Sequence, residues 1–295
     1  MASMRDIQRR KSSVASIGQI TKAMKLVSTV KLQKTRTRAE QAKPYFEKMY
    51  ETVTSILSRS GNVNHRLLKG HGQGRRGIIV ITSNRGLAGG YNSNVTKLVT
   101  ESGFEKSDVE LLTIGRKGRD FLEKRGYEVA HDYSDVINNP LFSDAKEISE
   151  LALQRYTSGE IREIYIAYTA FKNTVVHEPK LLKLLPLEIS AEEVAKKKAQ
   201  QQEEKNSADK IPMNYEPEED EALDIIIPKY LTSIIFGAMV ESVASENGAR
   251  MQAMDAATSN AEEMIDKLSL QYNRARQGSI TQELTEIIAG AEAIS

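Results

Sequence analysis

Two glycine-rich segments hold the residues of this chain whose types and spacing could do chemistry. Gly72, Gly74 and Gly77 stand at G-x-G-x-x-G spacing. In dinucleotide folds that spacing turns the chain tightly between a strand and a helix and lets the backbone approach a pyrophosphate. The chemistry needs the glycines after a strand, and here they come before the apolar run Ile78-Ile79-Val80-Ile81. The segment therefore reads as a loop leading into a strand. Arg85-Gly86-Leu87-Ala88-Gly89-Gly90 does follow that run, and backbone N–H groups at a following helix start could bind phosphate. The same glycines suit a tight strand-to-helix turn packed against a neighbour. No G-x-x-x-x-G-K-[ST] occurs anywhere, so a nucleotide site at Arg85, Gly86, Gly89 and Gly90 stays a rival reading.

Other chemistries lack residues. Cysteine is absent, which removes disulfides and thiolate catalysis. His65, His71, His131 and His177 are the only histidines, and none lies at helical spacing from another, so no zinc site is expected. Ser, His and Asp suggest no triad, and no pair of carboxylates sits in a recognisable apolar setting. The sequence points away from an enzyme with a cofactor or metal of its own.

The elements around these residues fall into zones. Residues 1–60 read as one long helix: Ile17, Ile20, Met24 and Val27 share a face, with Val14 and Val30 at its edges. Ser3 is placed to cap its start, and Pro44 to bend it or end its first segment. Residues 75–190 change period and read as an α/β layer with a largely parallel sheet. Strands are expected at 78–81, 109–114, 128–133, 163–170 and 180–189. Helices are expected at 116–124 and 144–156, the second capped by Asp144. Residues 190–222 are polar and charged and read as an exposed linker or insertion. Residues 223–295 read as a second long helix with Pro228 in its first turn. Met254, Ala257, Ala261, Met264 and Leu268 make a coiled-coil seam there. The small residues between 238 and 261, Gly248 among them, imply a close neighbour, since glycine costs a helix about 1 kcal/mol relative to alanine.

Charge divides the two long helices. Residues 1–50 carry twelve Lys and Arg against Asp6, Glu40 and Glu47, whereas 235–295 carry nine acidic and four basic side chains. Antiparallel pairing of the two is the simplest arrangement. The fold class is thus α/β: a long antiparallel α-helical coiled coil from both termini plus an inserted Rossmann-like α/β domain. No aromatics interleave the basic residues, so nucleic-acid stacking is not supported. The first residues contain no apolar signal segment, and no run approaches the roughly 18 apolar residues of a membrane span.

Three segments resemble the F-type ATP synthase gamma-subunit family. They are Ile17-Gly-Gln-Ile-Thr-Lys-Ala-Met-Lys-Leu-Val-Ser, Ser83-Asn-Arg-Gly-Leu-Ala-Gly-Gly-Tyr-Asn-Ser-Asn, and the stretch from Ala244 through Tyr272-Asn-Arg-Ala-Arg-Gln-Gly-Ser-Ile-Thr-Gln-Glu-Leu to Ala291. The resemblance covers nearly the whole chain; residues 195–212 depart from it. It implies a rotating shaft inside a hexamer of alpha and beta subunits, with the α/β head beside the epsilon subunit and the ring of c subunits. The shaft would couple proton flow to ATP synthesis or hydrolysis at alpha–beta interfaces. It would be present in one copy, without nucleotide, peripheral to the cytoplasmic face of a bacterial membrane, and would reach that membrane only through the complex. By matching position, Met24, Lys25, Arg250, Gln277, Thr281 and Glu283 would meet the beta subunits. Ile287, Ile288 and Ile294 would form a C-terminal bearing. A non-rotary coiled-coil scaffold with an α/β head is the reading that composition and periodicity alone leave open.

Overall fold

The computed structural model describes residues 3–59, 67, 70, 72–187 and 219–294. Residues 190–218 of the expected linker lie outside them. The elements in chain order are α1 (Met4–Arg59), β1 (Arg75–Ile81), α2 (Tyr91–Thr100), β2 (Val109–Ile114), α3 (Arg116–Glu123), β3 (Glu128–Asp132), α4 (Phe142–Thr157), β4 (Ile161–Phe171), β5 (His177–Leu185) and α5 (Glu219–Ile294). Short 3₁₀ turns precede β2 (Lys106–Asp108) and follow β3 (Val136–Asn138).

The chain divides into two compact units. One comprises residues 31–249 and the other residues 1–30 with 250–295.

In the larger unit the sheet order is β3-β2-β1-β4-β5. Pairs β1–β2, β1–β4 and β2–β3 are parallel and β4–β5 antiparallel, a Rossmann-like layer with one reversed edge strand. Ile78 to Ile81 are fully buried because a central parallel strand is covered on both faces, which is why its sequence is an unbroken apolar run. Alternate residues serve opposite cores. Ile78 and Val80 meet Val95 and Val99 of α2 and Leu122 of α3, whereas Ile79 and Ile81 meet Ile148, Ala152 and Tyr156 of α4.

The second core is completed by the first part of α5. Leu223, Ile227, Leu231, Ile235 and Met239 are almost wholly buried at four-residue spacing, each worth about 1.5–3 kcal/mol. α5 contains an 18-residue window of high mean hydropathy, and 56% of that window is buried within the protein. α5 also serves β4 where β1 has ended. The Thr169 N–H donates to Ser242 Oγ (3.4 Å), Ser245 Oγ donates to the Thr169 carbonyl (3.2 Å), and the Phe171 N–H donates to Glu241 Oε2 (3.4 Å).

Several local expectations are corrected. α1 continues through Pro44 to Arg59, so the proline does not end the helix. Pro228 lies inside α5, which starts at Glu219. The N-cap of α4 is Leu141; Asp144 sits in the first turn, where its carboxylate accepts the Leu141 N–H at 2.9 Å. Ser3 does cap α1, accepting the Asp6 N–H on Oγ (3.3 Å) while its own N–H and Oγ donate to the Asp6 carboxylate.

Candidate functional site

In the smaller unit the two terminal helices run antiparallel. Gly18 lies opposite Ala261, Thr21 opposite Thr258, and Lys25 opposite Asp255, so numbering rises on α1 as it falls on α5. A Cβ built on Gly18 would stand 3.4 Å from the Ala261 Cβ. Thr21 Oγ1 lies 2.8 Å from Thr258 Oγ1, and Lys25 Nζ lies 2.5 Å from Asp255 Oδ1. Thr21 also donates to the Gly18 carbonyl at 3.1 Å, and Ser28 to the Met24 carbonyl at 2.8 Å. Hydroxyls can be buried in such a seam because each has a local acceptor.

This seam overturns the expected buried face of α1. The inward positions in the smaller unit include Ile7, Val14, Gly18, Thr21 and Ser28. By contrast Ile17, Ile20, Val27 and Val30 are 51%, 60%, 57% and 69% exposed. At Gly18, Thr21 and Ser28 small and hydroxyl side chains allow the two backbones to approach closely, with Ile7 and Val14 inward nearer the start of α1, and the stripe from Ile17 to Val30 is turned outward. On α5, Met254 and Ala261 are buried and Leu268 partly buried, but Met264 is 47% exposed and Ile265 takes the inward place. The seam drifts because a straight helix repeats every 3.6 residues and not every 3.5.

Of the residues expected to meet partners, Met24 and Lys25 are half-buried beside the seam, with Lys25 committed to Asp255. Arg250 is half-buried and engaged in a contact within the chain. Gln277, Thr281 and Glu283 are exposed on the last turns of α5, with Thr281 Oγ1 donating to the Gln277 carbonyl at 2.9 Å and Ser279 Oγ approaching Glu283 at 3.5 Å. All three are exposed, but Gln277 and Thr281 share one side of the helix and Glu283, two residues on, points to the other; Arg250 is more than six turns away on the same helix. Ile280, Leu284, Ile287 and Ile288 are 50–68% exposed. The side chain of Ile294 lies outside those described. Near the start of α1, Arg5, Arg9, Ser12, Ser16 and Tyr272 line a cleft of about 720 Å³.

The turn at 83–90 in the larger unit is held to the start of α3 by hydrogen bonds within the chain. The first three N–H groups of α3 would make an anion site, but each is taken. The Arg116 N–H donates to Asn84 Oδ1 (3.0 Å), that of Lys117 to the Ser83 carbonyl (3.0 Å), and that of Gly118 to Thr82 Oγ1 (2.9 Å). At the start of α2 the Tyr91 N–H donates to the Ala88 carbonyl, and Asn92 Oδ1 accepts the Ser83 N–H at 2.9 Å. Gly89 has φ +55°, and Gly90 is the N-cap of α2. Arg85 and Gly86 are exposed, and Leu87 is 64% exposed at φ +63°. The upstream glycines lie at the entry to β1, with Gly77 inside the strand.

An ionic cluster at the opposite end of the sheet was not legible in the sequence. Glu110 is 1% exposed and lies 2.7 Å from both Arg75 and Arg155. Burial pushes its carboxyl above the ordinary value against the pull of Arg155 and Arg75. Arg76 and Arg162 share Asp108, and Arg76 and Lys183 share Glu163. Burial raises the Glu163 carboxyl, but hydrogen bonds from Lys183 and Arg76 together outweigh it and hold the group below its ordinary value. The cluster ties β1, β2, β4 and β5 together. Among the described residues no group of His, Asp and Glu is placed to hold a metal.

Comparison with known proteins places these features in a lineage. A family model described as ATP synthase matches residues 3–294. The ATP synthase gamma chain of Lachnoclostridium phytofermentans is 59% identical over all of both chains. A gamma chain of Acetobacterium woodii, named as sodium ion specific, is 44% identical over 99% of each. Among solved structures, a chain of the Euglena gracilis mitochondrial ATP synthase superposes with a TM-score of 0.67 at 19% identity, covering 99% of this chain and 94% of that one. A chain from the central stalk and c-ring of the Tetrahymena thermophila enzyme superposes at 0.58 with 24% identity, covering 81% and 99%. At these identities the superpositions speak for the fold.

Proposed function

The chain belongs to the ATP synthase gamma-chain family, and from that premise we propose that it is the central shaft of a rotary ATP synthase. It turns inside a hexamer of alpha and beta subunits, stands on the c-ring beside the epsilon subunit, and passes torque between ion flow and ATP chemistry. It is a non-catalytic subunit of a membrane-associated complex. In a bacterium it lies at the cytoplasmic face, held to the membrane by its partners.

The observation that carries this reading is the inverted pairing of the terminal helices. Gly18, Thr21 and Ser28 face inward beside Ile7 and Val14, while Ile17, Ile20, Val27 and Val30 face out. A free-standing coiled coil buries its apolar stripe; one that presents it is built for an apolar sleeve. Torque requires that the shaft contact the three alpha–beta interfaces differently, because a partner that contacts every state equally shifts none of them. In this reading the asymmetry comes from the apolar α1 side, from the polar residues Gln277, Thr281 and Glu283, and from a C-terminal bearing of Ile287, Ile288 and Ile294. In this reading Met24, Lys25 and Arg250 meet the beta subunits lower on the shaft, and Arg250 forms a charge-assisted hydrogen bond with a beta-subunit carboxylate. Arg85, Gly86, Gly89 and Gly90 shape the head and bind no nucleotide. Ions do not pass through a shaft, so one design serves enzymes driven by either proton or sodium.

The chain has no cysteine, so Ser107→Cys at an exposed position gives a unique thiol. With alpha and beta subunits assembled around it and fixed to a surface, a bead on that thiol should rotate in one direction when ATP is added. A stable complex that hydrolyses ATP while the bead stays still would replace the shaft by a static scaffold.

A further inference from the structure

His177 opens β5 and is half-buried, and its Nε2 is sealed from solvent with no hydrogen-bond partner. The ring points at α5 where that helix carries Gly248. A Cβ built on Gly248 would lie 2.4 Å from Nε2 and 3.1 Å from Cε1. Glycine in a helix interior costs about 1 kcal/mol relative to alanine, and here the missing side chain makes room for the imidazole. The other side of the ring faces Phe171, its cross-strand neighbour, with centroids 6.0 Å apart.

No charged group nearby is directed to Nε2. On β5, Glu178 is held by Lys172 at 2.5 Å. On α5, the Glu241 carboxylate accepts the Phe171 N–H, and Glu246 takes part in an interaction within the chain. The facing α5 side chain Ser245 is committed to the Thr169 carbonyl, and Asn247 donates to the Val243 carbonyl at 2.7 Å. A neutral imidazole fits this site with its bare nitrogen against the helix backbone. A protonated one would place a charged N–H there without an acceptor, which burial makes costly.

We infer that His177 and Gly248 form an acid-sensitive contact, which releases the β4–β5 hairpin from α5 when the imidazole takes up a proton. This goes beyond the shaft reading and does not depend on it. Burial, the sole cause acting on the ring, holds its titration below the ordinary histidine value of 6.5. The unfolded chain then binds more protons than the folded one between the two midpoints. Stability from the contact is therefore complete above pH about 6.5 and is lost as pH falls towards the folded midpoint. Each unit between the midpoints corresponds to a tenfold change in the opening equilibrium.

The test uses the full chain with labelled histidine. The His177 ring signal, identified by its loss in His177→Asn, should titrate at lower pH in the native chain than in the same chain in urea. Amide exchange in β4, β5 and the facing part of α5, corrected for intrinsic rates, should lose protection between pH 7.5 and 5.5. His177→Asn should abolish that loss. An equal or higher native midpoint would overturn the proposal, as would an equal loss of protection in the variant. If His177→Asn does not fold, the signal is assigned from its ring contacts with Phe171, and the native and urea titrations decide alone.

Discussion

Ile20→Gln with Val30→Gln separates what the outer stripe does for the chain from what it does for its partners. The two side chains are 60% and 69% exposed. Full burial of an Ile or Val is worth about 1.5–3 kcal/mol, so roughly 1–2 kcal/mol remains unrealised at each until a partner covers it. Glutamine keeps the inner methylenes and is a better helix former than either β-branched residue. The isolated chain should therefore change by no more than about 0.5 kcal/mol per site, measured by urea denaturation with circular dichroism. Binding to an alpha–beta hexamer that covers both should weaken by about 2–4 kcal/mol. At about 1.4 kcal/mol per tenfold, that is about thirtyfold or more in a titration of hexamer against labelled chain. Two results would refute the reasoning. One is unchanged hexamer binding. The other is a loss of isolated-chain stability matching that of a core truncation such as Leu231→Ala, which should cost about 2–5 kcal/mol.

Gly18→Leu should force the helix pair apart at Ala261 and lower the helical signal of the terminal segments, with a cost of about 1–3 kcal/mol visible in amide exchange of residues 10–30. Gly115→Ala should be among the most damaging changes in the head. Its φ of +117° disfavours any side chain, and the new Cβ would stand 2.1 Å from the Thr82 carbonyl oxygen, so a loss of about 3 kcal/mol or more is expected in urea denaturation. Acid should act on Glu163: its depressed titration makes stability complete above the ordinary glutamate value of 4.5 and progressively lost as pH falls through the folded midpoint. Lys183→Gln should start weaker at neutral pH and lose less on acidification, as read from urea midpoints at pH 7 and 3. Arg250→Ala should lower coupled ATP synthesis in the assembled enzyme; unchanged synthesis would remove its proposed role.

Much of the head was determined by sequence alone, because its elements answer to local rules. A strand buried on both faces must be an apolar run, and Ile78-Ile79-Val80-Ile81 is one. Glycine at a positive φ marks where the chain turns, as Gly89 and Gly126 do. Tertiary structure decided what depends on a distant partner. Hydropathy assigned Ile17 and Ile20 to the inside of α1. What sits inside is set by the facing helix: Gly18 lies against Ala261 and Thr21 against Thr258. Pro228 and Asp144 suited helix starts, yet packing of Leu223 and Ile227 on the sheet extended α5 beyond the proline, and α4 begins before Asp144, which serves its first turn. Only the fold placed Asn84, Ser83 and Thr82 on the N–H groups of α3, because that assignment joins segments more than thirty residues apart. The outward stripe is where the levels disagree: periodicity identified the apolar face, and the geometry of the pair turned it away from the seam.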